Sequence, residues 1–201
     1  MIMDRDIPDW LNVSRETIER LEHYAAEVLR WNPAINLVSK PSIPLLWQRH
    51  ILDSAQLFPL APPTGIWADL GAGGGFPGIV LAIMGAPQMV LIESDQRKAS
   101  FLREMARQMS LPVRVVAKRI DAVEPLGAET VSARALASLT ELLGHATPHL
   151  APHGRAIFPK GRGVEEELAR AQADWIFDAT RIPSRTDPEA AILMLENIRR
   201  R

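Results

Sequence analysis

Residues 66–78 read IWADLGAGGGFPG, a short apolar run followed by a loop that places four glycines in positions 71–75. An apolar run of this length, bounded by glycines, is typical of a buried strand. Glycines allow the backbone to turn sharply and to approach a ligand closely. Because ligands of open α/β sheets bind outside the carboxyl ends of the strands, the sequence predicts a ligand site at this loop.

The chain beyond this loop alternates between strand and helix patterns. Short apolar runs predict further buried strands at residues 89–92, 113–116, 130–132 and 156–158. Helical patterns lie between them, near residues 78–84, 95–109, 139–149 and 164–173. This alternation predicts an α/β fold with a parallel sheet and helices on both faces. Two final segments are expected to add an antiparallel pair at the sheet edge, residues 174–182 and 192–198.

Two helical patterns precede the sheet. Residues 14–31 carry apolar side chains at helical spacing, and Ser14 is the expected N-cap of this helix. We expect Asn32-Pro33 to end it, because proline interrupts helical hydrogen bonding. Residues 44–58 predict a second helix with one apolar side.

Prolines at positions 59, 62 and 63 predict a boundary after these helices. The chain is therefore expected to consist of an N-terminal helical cap, residues 1–63, and a main body, residues 64–201, packed as one compact unit. The N-terminus is acidic, and no apolar run approaches the ~20 residues that a membrane helix needs. We expect a cytoplasmic monomer with no membrane partner.

Composition excludes several classes of function. The 201 residues include no cysteine, which excludes a disulfide scaffold, a thiolate metal site and a cysteine nucleophile. Apolar residues make up 47% and charged residues 23%, which is ordinary for a globular protein. The net charge of −1 means that any contact with nucleic acid must come from a local basic patch.

The glycine loop is compatible with two classes of nucleotide cofactor. Gly73, Gly75 and Gly78 fit the dinucleotide spacing G-x-G-x-x-G, and Glu93 ends the next strand, where a carboxylate can accept hydrogen bonds from ribose hydroxyls. This pattern fits a nicotinamide dinucleotide as well as S-adenosylmethionine (SAM). The motif G-x-x-x-x-G-K-[ST] does not occur, which excludes a P-loop nucleotide hydrolase.

Two other residues favour SAM. Asp69 directly precedes the loop, where its carboxylate would repel a pyrophosphate but could bind the amino or hydroxyl donors of a phosphate-free cofactor. Tyr24, the only tyrosine, has no lysine four residues later, so it cannot form the Tyr-Lys pair of a reductase. We therefore expect Asp69, Gly73 and Glu93 to contact SAM, and the sequence favours a methyltransferase over a dehydrogenase.

Three polar residues are candidates for the reaction centre. His50 and Asp53 are three residues apart, so they could share one helix face at the mouth of the site. Alternatively, His50 could bond Asp53 and simply anchor the helix. Arg134 follows a predicted strand, where it either faces the ligand or pairs with a carboxylate at the surface.

Basic residues gather near the predicted strand ends and suggest a phosphate-bearing substrate. The residues expected to bind it are Arg97, Lys98, Arg119, Lys160 and Arg162. No metal site is expected, because prolines interrupt the histidines at positions 145, 149 and 153, and no carboxylate cluster joins them.

Five segments occur in the same order as in a known family: residues 32–39, 49–54, 69–78, 132–137 and 160–161. In these segments the chain resembles the bacterial small-subunit ribosomal RNA guanine-N7 methyltransferases, also called glucose-inhibited division protein B. The resemblance extends over roughly residues 20 to 170. The sequences Phe76-Pro77-Gly78 and Arg49-His50-Ile51-Leu52-Asp53-Ser54 are specific to that family rather than to methyltransferases in general.

The resemblance implies a Rossmann-like, seven-stranded SAM-dependent methyltransferase sheet with an N-terminal helical extension. It implies one guanine of small-subunit (16S) ribosomal RNA as the substrate, free or in an assembling 30S subunit, held by the basic residues above. Motif matching places cofactor contacts at Gly71, Phe76, Ile120, Asp121 and Arg134. Many family members have Asp in place of Glu93 and Glu in place of Asp121, which preserves charge but alters reach.

Guanine N7 carries an in-plane lone pair and no proton, so its methylation needs neither a general base nor a covalent nucleophile. Positioning can then supply most of the catalysis, up to ~7–11 kcal/mol in favourable cases. We expect Arg134, His50 and Asp53 to organise the site without shuttling a proton, although His50 would ordinarily titrate near pH ~6.5. The alternatives are a dinucleotide-dependent oxidoreductase and a non-catalytic SAM-fold module that binds RNA.

Overall fold

The computed structural model describes residues 7–134 and 136–201. Seven strands are present in this part of the chain: β1 Ile66–Leu70, β2 Gln88–Ile92, β3 Val113–Val116, β4 Ala128–Ala133, β5 Leu150–Lys160, β6 Trp175–Pro183 and β7 Ala191–Arg200. They form one sheet in the order β3-β2-β1-β4-β5-β7-β6. The predicted α/β fold is confirmed.

Strands β1 to β5 pair in parallel, whereas β7 runs antiparallel to both β5 and β6. The predicted antiparallel pair at the edge is thus confirmed, with β7 inserted between β5 and β6. The chain passes from β1 to β2 and β3 on one side, and then to β4 and β5 on the other. The order therefore reverses between β1 and β4, which is where open α/β sheets form a ligand crevice.

Six α-helices accompany the sheet in the described residues: α1 Arg15–Ile35, α2 Asp53–Ala55, α3 Gly78–Ile83, α4 Gln96–Gln108, α5 Leu139–Ala146 and α6 Val164–Ala171. Buried residues of α1, α3 and α4 belong to one apolar cluster, and those of α5 and α6 to a second. Within β2, Met89 and Leu91 face the first cluster while Val90 and Ile92 face the second. Burial on both faces explains why the strands read as continuous apolar runs.

The N-terminal helices depart from two sequence expectations. Ser14 caps α1 as predicted, since its hydroxyl accepts a hydrogen bond from the Thr17 amide. However, α1 does not end at Asn32-Pro33 and continues to Ile35. Asn36 ends it instead, in a left-handed conformation with φ of 48°. Pro33 lies in the last turn of α1, and its missing amide removes one helical hydrogen bond without ending the helix.

The second expected helix, residues 44–58, is divided into short pieces. A 3₁₀ turn at Lys40–Leu45 leads into a π-helical segment, Trp47–Leu52, which continues into α2 and a further 3₁₀ turn at Phe58–Leu60. Prolines within both 3₁₀ turns remove backbone donors that a regular α-helix would use. Over residues 7–134 and 136–201, no helix is long and apolar enough to cross a membrane.

Candidate cofactor and substrate site

The glycine loop, residues 71–77, connects β1 to α3 at the carboxyl edge of the sheet. Gly71, Gly73 and Gly75 have φ values of +65°, +57° and +90°, which side-chain-bearing residues rarely adopt. A Cβ atom at Gly75 would lie 2.5 Å from the Tyr24 hydroxyl, whereas one at Gly73 would meet only the Gly71 carbonyl, at 3.7 Å. The loop therefore packs against Tyr24 at Gly75, whereas the space beside Gly73 is open.

Asp69 lies beneath the loop with only 1% of its surface exposed. One carboxylate oxygen accepts a hydrogen bond from the Ser132 hydroxyl at 2.9 Å, and the other accepts one from the Gly78 amide at 3.1 Å. Burial raises the pKa of Asp69 to about 7 against the opposing effect of these bonds. These bonds make Asp69 an anchor between β1, β4 and the start of α3, and the direct cofactor contact that the sequence predicts for it stays a prediction.

Glu93 follows β2 and connects the carboxyl end of that strand to the glycine loop. Its Oε2 atom accepts a hydrogen bond from the Gly73 amide at 2.7 Å, and its Oε1 atom accepts one from the Asp95 amide at 2.8 Å. Farther along the same edge, Ile120 and Asp121 lie in a 3₁₀ turn that follows β3. The expected cofactor residues thus follow four adjacent strands at one edge of the sheet.

Arg134, directly after β4, joins the N-terminal helices to the glycine loop. Its guanidinium donates hydrogen bonds to the Arg49 carbonyl at 2.8 Å and to Asp53 Oδ2 at 3.3 Å, and it contacts Nδ1 of His50. The same group lies over the Phe76 ring, 5.5 Å from its centroid. Sequence analysis left open whether His50 and Asp53 pair with each other, and the structure joins them through Arg134.

The environment of His50 keeps its imidazole neutral. Burial, together with the charges of Arg134 and Arg49, lowers the pKa of His50 to about 4, well below the value near 6.5 that the sequence suggested. The ring packs against Phe76, with 4.9 Å between centroids. Within the described part of the chain, its Nε2 atom is buried without a hydrogen-bond partner. A neutral imidazole therefore has one unused polar atom at this site.

A cavity of about 800 Å³ lies on the other side of Arg134. Its lining includes Arg134, His50, Asp53, Gln56, Lys160 and Thr186. It is lined by the π-helical segment, the end of β5, the start of β7 and the loop between β6 and β7. Cavities of roughly 300–1,000 Å³ are typical of small-molecule sites. Arg134 therefore contacts the glycine loop and also lines a cavity of nucleoside-binding size.

Gln56 is a site residue that sequence analysis missed. It is 4% exposed, and its amide nitrogen donates to Asp53 Oδ1 at 2.9 Å while its oxygen accepts from the Arg185 amide at 2.8 Å. Thr186 donates to the same Asp53 oxygen at 2.9 Å. These bonds fix Asp53 from a loop more than 100 residues away. The available signal was its spacing, because a polar residue three positions after Asp53 can share one helix face with it.

The basic residues divide into exposed and enclosed groups. Arg162 keeps 80% of its side chain exposed, and Arg97 and Arg119 are exposed to a similar degree despite ion pairs with nearby acids. Lys98 is half-buried. Lys160 is enclosed instead, because its ammonium bonds Glu167 at 2.7 Å and its side chain is only 9% exposed.

The described residues contain no group of three or more His, Asp or Glu side chains arranged to hold a metal ion. The polar groups at the carboxyl edge are instead backbone amides and the Arg134 guanidinium, which donate, and isolated carboxylates, which accept. Such groups suit an organic ligand with hydroxyl and amino groups.

The chain is similar to proteins of a known family. Residues 17–192 match the family described as rRNA small subunit methyltransferase G. The protein of that name from Paramagnetospirillum magneticum is 53% identical over 94% of this chain and 92% of its own length. The one from Cereibacter sphaeroides is 48% identical over 97% of this chain and 98% of its own length.

Solved structures of lower sequence identity share the fold. M. jannaschii TYW2 in complex with AdoMet has a TM-score of 0.59 at 16% identity, over 76% of each chain. A ribosomal protein L11 methylase from Lactobacillus delbrueckii subsp. bulgaricus has a TM-score of 0.58 at 18% identity, over 74% of this chain and 76% of its own. The family match over residues 17–192 and the two relatives show that the chain belongs to the rRNA small subunit methyltransferase G family.

Proposed function

We propose that this methyltransferase transfers a methyl group from SAM to N7 of one guanine in 16S ribosomal RNA. The observation that carries the proposal is the position of Arg134, which lies over Phe76 of the glycine loop and also lines the 800 Å³ cavity. A cofactor on the loop side and a nucleoside on the cavity side would meet at this residue. The names of the relatives supply the RNA class.

The loop side fits SAM. Gly73 is open and lies beside the Glu93 carboxylate, so a ribose hydroxyl could bond Glu93 while the cofactor covers the loop backbone. Gly71 and Phe76 would border the methionine end, and Ile120 and Asp121 the adenine end. When bound, SAM supplies an electrophilic methyl group on a sulfonium centre.

The cavity side fits a guanine extruded from the RNA. Extruded bases are held by stacking and by hydrogen bonds to their edges. The guanidinium of Arg134 offers a planar face, and His50, which also lines the cavity, has a buried Nε2 atom that the described residues leave without a hydrogen-bond partner. Asp53 would act through Arg134, which it helps to hold in place.

The proposed reaction involves no proton transfer by the protein. Guanine N7 attacks through a lone pair that carries no proton, and methylation leaves none to remove from that atom. A His50 imidazole with a pKa of about 4 is neutral at physiological pH and can position a base through a hydrogen bond. The protein's contribution is then orientation of the two reactants and exclusion of water.

The exposed arginines would hold the RNA backbone outside the cavity, on a free 16S RNA or an assembling 30S subunit. Arg97, Arg119 and Arg162 all follow the carboxyl ends of strands or begin the helices after them. In this proposal residues 1–63 and residues 64–201 form one compact, monomeric unit, in which both parts line the substrate cavity and residues 64–201 carry the glycine loop.

Transfer of label from methyl-labelled SAM to 16S RNA and to 30S subunits tests the proposal. We expect incorporation into one of these substrates, together with calorimetric binding of SAM and none of NADH. Binding of NADH without SAM would indicate an oxidoreductase. Binding of SAM and RNA without any transfer would indicate a non-catalytic module.

A further inference from the structure

Tyr24 lies in α1, outside the sheet, yet its hydroxyl reaches the glycine loop. The side chain is fully buried, and the hydroxyl donates a hydrogen bond to the Gly74 carbonyl. Next to it, a Cβ at Gly75 would lie 2.5 Å from the same hydroxyl, so the loop backbone packs directly on Tyr24.

A second N-terminal contact lies beside the first. The Leu37 carbonyl would be 2.9 Å from a Cβ at Gly74, so Leu37 covers this glycine closely. The turn that carries Leu37 is fixed by Asn32, which is 5% exposed and accepts a hydrogen bond from the Val38 amide at 2.8 Å. Two consecutive glycines are thus held by residues that precede the sheet by some 30 residues or more.

The ring and the hydroxyl of Tyr24 have separate roles. The ring packs on Phe76 at 5.4 Å and on Phe101 at 6.4 Å between centroids, so its position does not depend on the hydroxyl. Burial raises the pKa of Tyr24 well above its usual value, so the phenol remains protonated and able to donate. Removing the hydroxyl alone would leave the Gly74 carbonyl without this donor in a buried position.

We propose that Tyr24 is a positioning residue for the cofactor loop, and that its bond to Gly74 increases the fraction of ligand-free molecules whose loop is ready to bind SAM. The inference rests on the proposed SAM site. Glycine-rich segments lose more conformational freedom on ordering than others do. If the loop samples other conformations, the apparent affinity falls in proportion to the competent fraction. The N-terminal segment would then control cofactor binding without touching the cofactor.

The test compares wild type with Tyr24→Phe, which keeps the ring contacts, and with Val28→Ala. Val28 is fully buried one turn farther along α1, so its truncation controls for a general loss of stability. Calorimetric titration with SAM should show binding about 3- to 10-fold weaker for Tyr24→Phe. Val28→Ala should lower the melting temperature and retain the wild-type affinity.

Hydrogen exchange of the ligand-free protein provides a readout that does not depend on SAM. The amides of residues 73–75 should exchange faster in Tyr24→Phe, and at the wild-type rate in Val28→Ala. Unchanged exchange and a SAM affinity within about twofold of wild type would overturn the inference. If wild type itself fails to bind SAM, the proposed function fails, while the exchange rates still decide whether Tyr24 orders the loop.

Discussion

Arg134 contacts four other residues through one planar group: the Arg49 carbonyl, Asp53, His50 and the Phe76 ring. Lysine keeps the charge but has a single ammonium, which cannot reproduce this fork or stack on a ring. Arg134→Lys should lower the free energy of unfolding by about 1–3 kcal/mol. Misplacement of the reactants should reduce single-turnover methyl transfer about 10- to 100-fold.

A matched control for that change is Arg155→Lys. Arg155, in β5, is also a partly buried arginine, and it pairs with Glu196 of β7 at 3.2 Å. Denaturant unfolding and single-turnover assays of both variants give the comparison. Equal effects of the two substitutions on methyl transfer would show that Arg134 has only a structural role.

The pH dependence of His50 follows from its lowered pKa. Its pKa is about 4 in the folded state and about 6.5 when unfolded, so only the unfolded state binds a proton between these values. This contribution to stability is present above pH ~6.5 and is lost as the pH falls toward 4. His50→Gln should remove this loss of stability at low pH. The measurement is the free energy of unfolding as a function of pH.

The same pKa predicts that methyl transfer has no step near pH 6.5 that depends on His50. An NMR titration of His50 should give a midpoint near pH 4. A midpoint near 6.5, with a matching step in wild-type activity that His50→Gln abolishes, would contradict the account. A step near pH 7 that survives this substitution would not belong to His50; burial raises the pKa of Asp69 to about 7.

The glycine loop is the element that we expect to bind SAM. Gly73→Asp should abolish SAM binding, because the new side chain would occupy the open face beside the Glu93 carboxylate. Gly127→Asp is a matched control: its φ of +60° is close to the +57° of Gly73, its Cβ would also meet open space, and it precedes β4 at the opposite end of the sheet.

Both variants should lose stability by a similar amount, about 1–2 kcal/mol, since both force a side chain into a left-handed conformation. Calorimetry with SAM and thermal unfolding separate the two effects. Wild-type SAM affinity in Gly73→Asp would place the cofactor elsewhere. Loss of binding in Gly127→Asp as well would show that general strain is responsible.

The elements that sequence analysis predicted correctly have strong local signals. Buried parallel strands are continuous apolar runs, and the glycine loop requires residues that tolerate positive φ. The prediction of one helix over residues 44–58 was wrong, because apolar spacing does not distinguish an α-helix from 3₁₀ and π turns. Contacts across the fold were not predictable: Arg134 meets His50 across 84 residues, and Gln56 meets Arg185 across 129.

The salt dependence of RNA binding is a property of the whole molecule. Replacing Arg97, Arg119 and Arg162 by glutamine should reduce the slope of log K against log salt by about 0.7–0.9 for each phosphate contact removed. Lys160→Gln should leave the slope unchanged, because the Lys160 ammonium is enclosed by Glu167. Filter binding of 16S RNA over a salt series measures both slopes.

Arg107 and Arg170 provide the control for this surface. Both are exposed and paired with acids on their own helices, and both lie in the last turns of α4 and α6, away from the carboxyl edge. Their replacement by glutamine should leave the slope as in wild type. If this control lowers the slope as much as the triple variant, the RNA surface is not at the carboxyl edge.

The position of the transferred methyl group distinguishes methylation at N7 from methylation at any other atom of the RNA. After reaction of the protein with methyl-labelled SAM and 16S RNA or 30S subunits, mass spectrometry of nuclease digests identifies the modified atom. We expect a single 7-methylguanosine, because N7 carries a lone pair and no proton, so an aligned site can methylate it without a base. A methyl group on N1, on N2 or on a ribose oxygen would require removal of a proton, a role that the proposed mechanism gives to no residue, and such a result would contradict transfer to N7.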